Sequence, residues 1–145
     1  MTDRPWMEPM TWCVDPGAVA SGCSNLNQQY RSWMQFTDPK EMYQYLFSCA
    51  SQDRDTILLE DFSHGGAFTL EAKQTLEIVG FVYYAASMDG FKVIRRHKDK
   101  RLSGQGPAAQ MMGDTVTNLK RDPEKKDAFA ALAHCVVYNR EISCT

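Results

Sequence analysis

The 145-residue chain has 43% hydrophobic and 23% charged residues, the composition of one globular domain, which excludes a chain that is disordered throughout. No apolar run approaches the roughly 18 residues that a membrane-spanning helix needs, and the N-terminus lacks the basic start and apolar run of a secretory signal. The net charge of −2 disfavours a dedicated nucleic-acid binder, for which a basic domain is expected.

The five cysteines are an odd number in a short chain, and no Cys-x-x-Cys pair occurs. Disulfide frameworks use paired cysteines, so free thiols in a reducing compartment are the simpler interpretation. We therefore expect an intracellular protein, cytoplasmic by default, with a mitochondrial location left open.

The first 25 residues predict an extended N-terminal arm, because Pro5, Pro9 and Pro16 each forbid a helix interior and no period is sustained. Trp6 and Trp12 would be unusual in a free tail, so we expect the arm to pack on its own domain or on a partner. The arm is followed by a predicted helical domain over 26–139 and a C-terminal tail over 140–145.

Helical spacing of apolar residues and start signals predict five to six helices in that domain. They are expected at 26–36, from Asp38 and Pro39 to about 50, at 70–87 after a Thr69 cap, from Pro107 to about 120, and from Asp122 and Pro123 to about 139. Residues 56–62 are ambiguous between helix and strand, and residues 91–95 leave one short β element open. The predicted fold class is a mainly α, single-domain bundle.

Residues 59–68 (LEDFSHGGAF) are a candidate catalytic or binding segment, since a carboxylate, a hydroxyl, a histidine and two glycines lie within six residues. His64 is the candidate catalytic base, and Gly65 and Gly66 would let the backbone approach a phosphate at the start of the next helix. The simpler interpretation, which we favour here, is a turn in which the glycines end one element and Thr69 caps the next.

Residues 92–101 (KVIRRHKDKR) form a basic strip that carries six Lys or Arg and one Asp in an otherwise acidic chain. Such a strip contacts an acidic protein surface, an anionic lipid or a nucleic acid, or is simply solvated. The partner-binding candidates are Trp6, Trp12, Lys92, Arg95, Arg96, Lys98, Lys100 and Arg101. A protein partner is predicted, a nucleic acid is disfavoured, and the oligomeric state is left open.

The three histidines have no second ligand at short spacing, so neither a metal site nor a cofactor is predicted. His134 and Cys135 are neighbours that point about 100° apart on a helix, which makes a buried structural thiol the better interpretation. The predicted function is a non-enzymatic interaction module, such as an accessory subunit or an inhibitor or immunity-type binder. The alternative is a small enzyme or binding protein for a nucleotide or phosphate-bearing ligand at His64, Gly65 and Gly66.

Overall fold

The computed structural model describes residues 8–62, 66 and 68–144 and shows a mixed α/β fold. The predicted mainly α bundle with an extended arm is wrong, because five strands form one sheet and two of them lie within the first 26 residues. The strands are β1 (Thr11–Asp15), β2 (Ser21–Leu26), β3 (Arg31–Phe36), β4 (Thr56–Glu60) and β5 (Lys92–Arg96).

The sheet has the strand order β3-β2-β1-β4-β5. The first three strands form an antiparallel meander, and β4 and β5 then run parallel to β1. The helices are α1 (Pro39–Cys49), α2 (Leu70–Met88), α3 (Gln105–Met112), α4 (Val116–Arg121) and α5 (Lys126–Ser143), with a 3₁₀ helix at Lys98–Gly104. Among the described residues, no helix is long and apolar enough to cross a membrane.

The central strands are buried on both faces. Trp12 and Val14 of β1 lie in the layer that α1 and α2 cover, whereas Cys13 lies in the layer that α3, α4 and α5 cover. This alternation follows from the two-residue period of a strand. Every residue from 128 to 137 in α5 is buried, so α5 lies closest to the sheet on its side of the molecule.

The predicted helix over 26–36 is wrong, because this segment is a hairpin turn followed by β3. The side chain of Asn27 accepts hydrogen bonds from the amides of Gln29 at 2.8 Å and Tyr30 at 2.7 Å, which closes the turn. Trp33 and Met34 fit a helical spacing equally well, but pairing with β2 holds them in an extended strand.

Several local signals are confirmed. Asp38 caps α1 by accepting from Lys40, Thr69 caps α2 by accepting from Ala72, and the β option for 91–95 is β5. Asp122, by contrast, ends α4, and α5 begins four residues later. The domain boundaries at 25 and 139 stay predictions, although β2 and α5 cross these positions.

Candidate active site

Two carboxylates lie together at the carboxyl ends of the parallel strands β1 and β4. Val14 pairs with Leu59, so the next residues, Asp15 and Glu60, reach the same edge of the sheet. Because side chains alternate along a strand, Asp15 follows Cys13 and Glu60 follows Leu58 onto the face that α5 covers. This edge is where open α/β sheets bind their ligands.

Asp127, in the first turn of α5, brings a third carboxylate to this edge. A Cβ atom on Gly17, in the turn directly after β1, would lie 4.0 Å from Oδ1 of Asp127. Asp127 is half-buried, and the charge of Glu60 acts on it directly. Three carboxylates from β1, β4 and α5 therefore converge, although they are widely separated in the sequence.

Strands β2 and β3 hold the start of α5 in place. The side-chain oxygen of Gln35 accepts hydrogen bonds from the amides of Asp127 at 3.0 Å and Ala128 at 3.2 Å. Its amide group donates to the carbonyl of Pro123 at 2.6 Å, and Ser24 donates to the carbonyl of Ala128 at 2.8 Å. Gln35 thus acts as a helix cap supplied from another element, since Lys125 at the N-cap position makes no side-chain capping bond.

The three carboxylates repel one another, and this repulsion favours a bound cation. Burial raises the pKa of Asp15 well above its usual range, and the charges of Glu60 and Asp127 raise it further. Burial and Glu60 also raise the pKa of Asp127, against the opposing charges of Lys126 and Arg101. A protonated Asp15 can share its proton with Glu60, which lies beside it at the same edge of the sheet.

Glu60 is the ionised centre of the cluster. Burial would raise its pKa, but the hydrogen bond from His134 and the charge of Arg101 outweigh burial and lower it. Nη1 of Arg101 lies 2.5 Å from Oε1 of Glu60, and Nε2 of His134 lies 3.1 Å from Oε2. Within the described part of the chain, no group of three or more His, Cys, Asp and Glu side chains is already arranged to hold a metal ion.

The basic strip begins far from this cluster and ends at it. Lys92 starts β5 opposite Thr56, whereas Arg96 pairs with Glu60 at the carboxyl end. Arg95 contacts Asp61 at 2.6 Å, and Arg96 makes a two-bond ion pair with Glu141. On the 3₁₀ helix, Lys98 and Lys100 are exposed and Arg101 reaches inward to Glu60.

Most other predicted site residues lie elsewhere or cannot be placed. His64, Gly65 and Trp6 lie outside the described residues, and Gly66 is exposed. Trp12 is a core residue that is 2% exposed, and its indole N–H donates to Asp55 at 3.0 Å. Cys135 is a buried free thiol, as interpreted from the sequence.

Sequence reasoning missed Asp15, Glu60 and Asp127 as a group and did not link His134 to them. The available signal was an acidic residue directly after an apolar strand, in TWCVD and in TILLE. That signal depends on recognising the strands first, and β1 lay in the segment taken for an arm.

No protein-family model matches the chain, and no curated protein matches it in sequence. Its fold is similar to that of a solved structure described as T. thermophilus RuvC in complex with Holliday junction substrate. The TM-score is 0.66 at 12% identity, over 92% of this chain and 96% of the other. A second structure, of Thermus thermophilus RuvC, gives a TM-score of 0.59 at 14% identity, over 91% and 96% of the two chains.

The chain therefore has a RuvC-like α/β fold. This likeness contradicts the interpretation as a helical accessory subunit that binds a protein, and it contradicts the ranking of nucleic acid as a disfavoured partner. The alternative, a protein that acts on a nucleotide or phosphate-bearing ligand, fits the fold better.

Proposed function

We propose that the protein is a divalent-cation-dependent nuclease that hydrolyses phosphodiester bonds in DNA, with a branched DNA as its substrate. The observation that carries the proposal is the convergence of Asp15, Glu60 and Asp127 at the carboxyl edge of the parallel strands. The fold similarity to a RuvC bound to a Holliday junction suggests the branched substrate. Fold alone does not establish an activity, so the carboxylates are the primary support.

The chemistry of these carboxylates fits a hard divalent cation, although the sequence predicted no metal site. Mg²⁺ and Mn²⁺ prefer carboxylate oxygens. Asp15 is half-buried beside two other carboxylates that raise its pKa, and a bound cation would relieve this repulsion. Asp15, Glu60 and Asp127 would hold it, and when bound it would activate water and stabilise charge on a phosphoryl oxygen.

The other residues have distinct tasks in this proposal. Gln35 fixes the first turn of α5 and with it Asp127. Arg101 neutralises Glu60 in the protein without a cation, and it lies where a phosphate approaching the carboxylates would meet a guanidinium group. Lys98 and Lys100 are exposed beside it and can contact the DNA backbone. The basic strip found in the sequence thus becomes part of a nucleic-acid surface.

The proposal includes an intracellular location, cytoplasmic by default. All five cysteines are free in the structure, which fits a reducing compartment.

Cleavage assays with defined DNA substrates test the function. Purified protein is incubated with a four-way junction, the matching linear duplex and single strands, in Mg²⁺, in Mn²⁺ and in EDTA. We expect cation-dependent cleavage that prefers the junction. Glu60→Gln and Asp127→Asn should lower the cleavage rate by more than the roughly 10–100-fold that loss of a residue hydrogen-bonded to a metal ligand costs, while still binding DNA.

Asp53→Asn is the matched control, because Asp53 is an exposed carboxylate in the turn before β4, away from the cluster. It should cleave like the wild type. The proposal fails if the wild type cleaves none of these substrates in either cation, or if Glu60→Gln cleaves as fast as the wild type.

A further inference from the structure

One carboxylate oxygen of Glu60 contacts a partly exposed side chain, and the other contacts a fully buried one. Oε1 contacts Arg101, whose side chain is 26% exposed and comes from a 3₁₀ helix at the surface. Oε2 contacts His134, whose side chain is fully buried in α5. Arg101 can turn toward water without breaking the core, whereas His134 has no such alternative.

The hydrogen-bonding state of His134 indicates that its polar role is to hold Glu60. Nδ1 of His134 is buried and has no hydrogen-bond partner among the described residues, so the contact with Glu60 is the polar contact that the ring makes there. Nε2 lies 3.1 Å from Oε2, and a carboxylate oxygen accepts hydrogen bonds, so Nε2 is assigned as the nitrogen that carries the proton and donates it. A buried polar ring with one unsatisfied nitrogen lowers stability, which argues against a purely packing role.

The position of His134 in α5 places it between the core and the carboxylates. It follows Asp127 by seven residues, which is two helical turns, so both side chains lie on the face of α5 that meets the sheet edge. The helix that supplies Asp127 therefore also supplies the group that orients Glu60.

We propose that His134 is a positioning residue that keeps the Glu60 carboxylate aimed at Asp15 and Asp127, while Arg101 is the exchangeable partner that releases Oε1 to a cation. This inference rests on the proposed function and deepens it, because it assigns the group that orients a cation ligand. Partners that fix a ligating carboxylate are worth about 10–100-fold in metal affinity.

Mn²⁺ binding by the full chain tests the assignment without relying on cleavage. Free Mn²⁺ is measured by electron paramagnetic resonance during titration of wild type, His134→Gln and His134→Asn. The amide of Gln reaches about as far as Nε2 and keeps the donor, whereas that of Asn ends near Nδ1 and cannot reach Glu60. We expect Asn to weaken Mn²⁺ binding about 10–100-fold and Gln to restore most of it.

Two further measurements separate positioning from folding. His134→Leu, which fills the ring's space without a donor, should weaken Mn²⁺ binding as Asn does, and thermal melting reports whether each variant is folded. In a Glu60→Gln background, His134→Asn should cause no further loss of Mn²⁺ binding, because the two residues act through one contact.

The outcomes distinguish the inference from the function on which it rests. If the wild type binds Mn²⁺ and the folded Asn or Leu variants bind it as tightly, the positioning role is wrong and the nuclease proposal stands. If the wild type binds no Mn²⁺ and cleaves no DNA, both are wrong.

Discussion

Gly22→Ala is expected to destabilise the protein and to displace Asp127. A Cβ atom at Gly22 in β2 would lie 2.2 Å from the carbonyl carbon and oxygen of Asp127 and 2.4 Å from the amide nitrogen of Ala128. Carbon atoms in contact prefer about 3.5 Å, so the start of α5 must retreat by about 1 Å. Overpacking of this kind costs about 1–3 kcal/mol, and the roughly 0.5–1 kcal/mol by which alanine is favoured over glycine in a strand offsets only part of it.

The same displacement moves a carboxylate of the candidate active site. A misplacement of about 1 Å can lower a catalytic rate about 100-fold. We therefore expect Gly22→Ala to unfold at a lower urea concentration, with an unchanged slope, and to cleave junction DNA about 100-fold more slowly while folded.

Gly80→Ala is the control for the glycine substitution itself. Gly80 lies within α2, and an added Cβ would meet nothing within 4 Å. It should raise the free energy of unfolding by about 0.5–1 kcal/mol and leave cleavage unchanged. If Gly22→Ala is as stable as the wild type, or gains stability as Gly80→Ala does, the close contact between β2 and α5 is wrong.

Three further predictions concern the same cluster. The raised pKa of Asp15 means that the folded protein holds this proton more tightly than the unfolded chain does. The free energy of unfolding in EDTA should therefore fall as pH rises from about 4 through the raised pKa. Asp15→Asn should remove this fall and be the more stable protein at neutral pH, and equal pH profiles of the two proteins in chemical denaturation would contradict the electrostatic assignment. Gln35→Leu removes the cap of α5 and should cost about 0.5–2 kcal/mol in urea unfolding, while Gln35→Glu, which keeps the acceptor, should cost less. Arg101→Ala removes the guanidinium group that competes with a metal ion for Glu60, so this variant should bind Mn²⁺ more tightly in calorimetry. The control Lys100→Ala should bind Mn²⁺ as the wild type does. Weaker binding by Arg101→Ala would show that the guanidinium supports the site instead.

Sequence reasoning recovered the parts of this fold whose signals are local. Asp38 and Thr69 were identified as helix caps because their side chains bond to backbone amides two or three residues ahead. The basic strip was also visible, because its charges lie within ten residues of one another in the sequence. These features need no information from the rest of the chain.

The sheet was missed because its strands are stabilised by burial against segments that lie elsewhere in the sequence. In β2, the sequence SGCSNL has weak strand propensity, yet all six residues are buried between β1, β3 and α5. Pro16 and Gly17 made β1 look like part of a loop, although they are the turn that places Asp15 at the edge of the sheet.

The sequence by itself determined the single-domain size, the starts of α1 and α2 and the uneven distribution of charge, because each depends on composition or on near neighbours. Only the tertiary structure decided that Asp15, Glu60 and Asp127 form one cluster with His134 and Arg101 around it. The physical reason is that parallel pairing of β1 with β4, and the packing of α5 on glycine, join residues that no local period connects.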